Sequence, residues 1–70
     1  MNTKTQVEFA ERTIAFYAKE AWQADAEEML NNEEDILCDL MTDLRHYCRA
    51  RGIAFNDLVS RSYEHYREEK

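Results

Sequence analysis

Seventy residues without a proline and with one glycine, Gly52, leave this chain few places to turn sharply, so strands joined by tight turns are disfavoured and long helices are favoured. Apolar residues recur at spacings of three and four along most of the sequence, which is the period of a helix with one buried face. The expected fold is all-α: a single three-helix domain spanning residues 1–70. Helices are predicted at about 6–30, 33–50 and 57–69. Thr5 with Glu8 fits a capping box for the first. Asn32 with Asp35 offers a cap for the second, Gly52 a left-handed stop, and Asn56 a cap for the third.

The helical period also assigns a core. In the first helix Val7, Ala10, Ile14, Ala18, Ala21, Trp22 and Met29 gather on one side, flanked by Tyr17. In the second the stripe is Ile36, Leu37, Leu40, Met41, Leu44, Tyr47 and Cys48, and in the third Leu58, Val59, Ser62, Tyr63 and Tyr66. Phe9 and Phe16 stand one heptad apart on the opposite side of the first helix. A domain this small holds only about 3–5 kcal/mol from a single core. These two rings are therefore expected to form a homodimer interface, self-association supplying stability that one chain lacks.

Other sources of stability do not fit the residues. Cys38 and Cys48 on one helix would stand about 15 Å apart, beyond disulfide reach, so both are expected as reduced, core-packed thiols in a cytoplasmic protein. Neither a Cys-x-x-Cys pair nor zinc spacing occurs, and no cofactor motif is present. Asp39, Asp43 and His46 share one side of the second helix with spacing that carboxylate metal sites use, yet no second helix brings matching ligands, so a solvated polar face and no metal are expected. The acidic stretch from Asp25 to Asp35 lacks the glycine and alternating ligands of a calcium loop. No catalytic constellation is seen, so no enzyme is expected. The opening Met1-Asn2-Thr3-Lys4-Thr5 has no hydrophobic signal core, and no apolar run reaches membrane-spanning length.

Charge is distributed unevenly. Residues 20–44 carry nine carboxylates and no Lys or Arg, a charge of −9, against +1 for residues 1–19 and +2 for residues 45–70. With the first helix drawn to residue 30, Glu27 and Glu28 fall at its C-terminal end, where negative charge opposes the helix dipole by about 0.3–1 kcal/mol each. Local disfavour without a neighbouring cation points to function. Asp25, Glu27, Glu28, Glu33 and Glu34, with Trp22 near their edge, are expected to form an acidic surface that engages a basic partner protein. A nucleic-acid-mimicking inhibitor or regulator is one form of such a module. The alternative is a helix-turn-helix DNA-binding protein using residues 45–67, with Ser60, Arg61, Glu64 and Arg67 on its outer side. Arg51 sits where that motif wants an apolar residue, and the belt of −9 repels phosphate, which argues against nucleic acid.

The stretch Asp39-Leu40-Met41-Thr42-Asp43-Leu44-Arg45-His46-Tyr47, with Phe55-Asn56-Asp57-Leu58 and Tyr63-Glu64-His65-Tyr66 after Gly52, resembles small helical proteins encoded on bacterial phages, plasmids and other mobile elements. The resemblance spans about half the chain. It implies a bacterial accessory protein in a noncatalytic regulatory role and supplies no activity, cofactor or site.

Overall fold

The computed structural model describes residues 2–69, so Met1 and Lys70, the ends of the expected domain, lie outside the described residues. Those residues form four helices and no strand: α1 (Thr3–Trp22), α2 (Ala26–Asn31), α3 (Glu33–Arg51) and α4 (Phe55–Glu69). The all-α expectation holds, and the count of three is corrected to four because the first predicted helix is two. Gln23 adopts the left-handed conformation (φ 54°), the one non-glycine among the described residues with positive φ. Its N–H bonds the Ala18 and Lys19 carbonyls, closing α1. Asp25 then starts α2, its carboxylate accepting from the Glu28 N–H at 2.9 Å.

The other ends also differ from expectation in informative ways. Asn2, rather than Thr5, caps α1, accepting from the Thr5 N–H at 2.8 Å. Asn32 is shared between α2 and α3, but its side-chain amide donates backward to the Glu28 carbonyl at 2.9 Å, and it makes no cap bond to α3. Gly52 ends α3 with φ 69° as expected. The Ile53 N–H reaches the Cys48 carbonyl at 2.8 Å and the Gly52 N–H the Arg49 carbonyl at 3.3 Å, the paired bonds of a Schellman turn. Asn56 is not the cap of the last helix, because α4 already begins at Phe55, the Leu58 N–H bonding the Ala54 carbonyl.

Helix α1 runs antiparallel to α3, held by two side-chain bonds. The Tyr17 hydroxyl donates to Asp43 at 2.5 Å and the Trp22 indole N–H to Asp39 at 3.0 Å. The core is small, Ala18, Ala24 and Ile36, against which Ile14, Tyr17, Trp22 and Met29 pack half-buried. Helix α4 meets α3 through Arg45, whose guanidinium lies 4.5 Å from the centre of the Phe55 ring, and Cys48 near the end of α3 is buried. Gln6 donates to Glu69, linking the start of α1 to the end of α4.

Much of the predicted core is not enclosed. Of the α3 stripe only Ile36 and Cys48 are buried and Leu40 half-buried, while Leu37, Met41, Leu44 and Tyr47 face outward. Every residue of the α4 stripe is exposed, as are Val7, Ala10 and Ala21 of α1. The radius of gyration is 13.5 Å, where a compact chain of this length gives about 11 Å. A slab of 32 × 32 × 15 Å has too little depth to bury three stripes at once.

Candidate protein-binding surface

The acidic residues singled out from the sequence are brought together at one corner, but for a different reason from the one expected. With the chain broken at Gln23, Glu27 and Glu28 stand in the first turn of α2 and Glu33, Glu34 and Asp35 in the first turn of α3. Both are helix N-termini, where carboxylates are favoured by the dipole. The conflict assigned to Glu27 and Glu28 is thereby removed, and with it the inference that they are disfavoured in place. Helix α2 is only six residues, about 9 Å at 1.5 Å per residue, so the two carboxylate clusters sit within one short stretch of surface. Glu27, Glu28, Glu33 and Glu34 are all exposed, and Asp25 is exposed while capping.

Trp22 is not a free aromatic at the edge of this corner. It is half-buried, packed on the core, with its N–H committed to Asp39. Asp39 and Asp43, read from the sequence as a solvated face, are the acceptors that tie α3 to α1. Their charge acts on Tyr17: the Asp43 hydrogen bond first, then desolvation and the charges of Asp43 and Asp39, push its phenol from 10.0 up to about 12. Among the described residues no three His, Cys, Asp or Glu side chains converge to hold a metal ion. Cys48 is buried as expected, whereas Cys38 is exposed, since α3 turns that side to solvent; both thiols are free.

The corner has relief as well as charge. A cleft of about 420 Å³ between α1 and α2 is floored by Ala15, Ala26, Met29 and Leu30, with Glu11, Arg12 and Glu33 at its rim. It runs into a shallower depression formed by Leu30, Asn31, Asn32, Glu33, Glu34 and Asp35, the two sharing Leu30 and Glu33. Leu30 is 64% exposed at the junction. Neither Leu30 nor Glu11 was marked by sequence reasoning as a contact residue. The signal was available in Asp25 with Glu28 at the third position, a second capping box that divides the long predicted helix and folds Leu30 back towards α1.

Phe9 and Phe16, the expected dimer contacts, are 47% and 68% exposed; α3 and α4 do not cover them. Arg12 stacks its guanidinium 5.6 Å from the Phe9 ring centre. Among the described residues no helix is long and apolar enough to cross a membrane. No family model, curated protein or solved structure matches this chain.

Proposed function

We propose that this protein is a noncatalytic interaction module, assembled as a homodimer, that binds a basic segment of a partner protein at the α1–α2 corner. The observation that carries the reading is the apolar cleft of Ala15, Ala26, Met29 and Leu30 rimmed by Glu11, Arg12 and Glu33, beside a segment that carries the exposed carboxylates of two successive helix starts. An apolar floor supplies binding energy through desolvation of a partner side chain, and the acidic rim selects the sign of its neighbours and steers its approach. Residues 20–44 hold no Lys or Arg, so Arg12 is the one cation among the residues that line the cleft. A regulator that presents the charge of nucleic acid to a nucleic-acid-binding protein is the form that fits a belt of −9, and the resemblance to mobile-element proteins supports a regulatory role.

The test is affinity capture with the wild-type chain and with a Leu30→Ala, Glu27→Gln, Glu28→Gln variant as parallel baits, followed by a gel shift on random duplex DNA. The reading expects a basic protein retained by the wild type and lost by the variant at moderate salt, with no shift of DNA. A salt-sensitive DNA shift that depends on Arg61 and Arg67 would instead favour the helix-turn-helix alternative.

A further inference from the structure

The apolar face that α3 leaves open has its own pattern. Leu37, Met41 and Leu44 recur at i, i+4 and i+7, on the side of α3 turned away from the α1 contacts made by Ile36, Asp39 and Asp43. They are 37%, 49% and 44% exposed. Cys48, at the C-terminal end of the same stripe, is buried, so the open portion is centred near Met41; Leu58 and Val59 of α4 are exposed as well.

The surface left open amounts to an interface. The chain exposes 6153 Å², where a compact monomer of its mass exposes about 4,600 Å², an excess of about 1,500 Å². A standard interface takes about 800 Å² from each partner, and obligate homodimers take from about 1,000 to 2,500 Å² per chain. The excess lies in the obligate range. The two phenylalanines of α1 alone do not account for it, because the open residues of α3 and α4 outnumber them.

We propose that a second copy of this chain covers the open face of α3, its α3 lying antiparallel to the first about a two-fold axis near Leu40. The inference rests on the homodimer in the reading above and places its interface on α3 instead of on Phe9 and Phe16. Charge fixes the direction. Glu34 and Arg45 lie on the same flank of the stripe, one towards each end. Antiparallel pairing brings like flanks together in reverse order, so each Glu34 faces Arg45 of the second copy. Parallel pairing sets acidic helix start on acidic helix start and aligns the two dipoles unfavourably. The antiparallel pairing withdraws Glu34 from the partner surface and leaves Asp25, Glu27, Glu28 and Glu33 for the basic segment.

Sedimentation equilibrium on the free protein tests this without any partner. The wild type should sediment at twice its 8.4 kDa, and Met41→Glu, at an exposed site that does not enter the protomer's core, should sediment as a helical monomer. Glu34→Arg and Arg45→Glu should each weaken self-association at least about tenfold, and the two together should restore it to within about threefold of the wild type, with helix content followed in parallel because Arg45 also stacks on Phe55 within the protomer. A wild type of 8.4 kDa at hundreds of micromolar would overturn the homodimer altogether. A dimer indifferent to Met41→Glu but dissociated by Phe9→Lys with Phe16→Lys would place the second copy on α1, and failure of the double charge exchange to restore the dimer would overturn the antiparallel pairing. None of these outcomes bears on the α1–α2 cleft, whose failure is read from capture by the Leu30 variant.

Discussion

Among the described residues Ile36 is the one large side chain buried completely, at 0% exposure, and its truncation shows how little holds the protomer together. Ile36→Ala removes three carbons, about 2.4 kcal/mol of transfer free energy at about 0.8 kcal/mol each. A residual cavity would add to this, but Ile14, Trp22 and Met29 around it are only half-buried and can move inward. The cost therefore belongs near the lower end of the range of about 2–5 kcal/mol for such truncations, at about 2.5 kcal/mol. Against a net stability of about 3–5 kcal/mol this is most of what the fold has. In a thermal melt followed at 222 nm at fixed protein concentration, the midpoint should fall by about 10–20 °C, and Ile36→Val should fall by less than half as much. A fall of under about 5 °C for Ile36→Ala, with helix content unchanged, would refute the reasoning that the Ala18, Ala24, Ile36 cluster is the protomer's core.

Three further outcomes follow from the same geometry. Gln23→Gly should stabilise the protein by about 0.5–1 kcal/mol by relieving the left-handed conformation, while Gln23→Val should cost more than about 1 kcal/mol; denaturant midpoints at constant slope decide both. The Tyr17 phenol, raised to about 12, supports the α1–α3 contact fully below pH 10 and loses that support as pH rises through about 12; absorbance at 295 nm should show a late-ionising tyrosine that Tyr17→Phe removes, and its persistence would contradict the Asp43 bond. Because Glu27 and Glu28 begin a helix, Glu27→Gln with Glu28→Gln should lower stability slightly, by about 0.3–1 kcal/mol per charge at low salt, and a gain in stability would mean that they end a helix after all.

The helical class was legible because it follows from residue types: without proline, and with Gly52 and the apolar period to mark α3, little else could form. The break at Gln23 was hidden because glutamine is a good helix former and carries no mark of a left-handed residue; only Asp25 and Glu28 announced a new start. The core was read too generously for a physical reason. Periodicity reports that Leu37, Met41, Leu44, Leu58 and Val59 share helix faces, and it cannot tell whether a face is covered from within the chain or by another molecule. The acidic corner was found by charge count alone, although the dipole argument attached to Glu27 and Glu28 had the wrong sign. Its apolar floor stayed out of view because Leu30 and Ala15 meet only after the chain folds back at Gln23. Asp39 and Asp43 looked like a polar face because their partners, Trp22 and Tyr17, are more than 15 residues away in sequence.

The most direct test of the proposed function is the association rate of the captured basic partner with this chain, measured by stopped flow as ionic strength rises from about 0.02 to 0.3 M, where the screening length shrinks several-fold. An acidic-rimmed cleft predicts a rate that falls at least about tenfold over that range. Glu27→Gln, Glu28→Gln and Glu33→Gln together should flatten the dependence while leaving dissociation nearly unchanged, and Leu30→Ala should speed dissociation without altering the salt slope. An association rate that stays constant to within about twofold, in wild type and variant alike, would contradict the account and reduce the carboxylates to a solubilising surface.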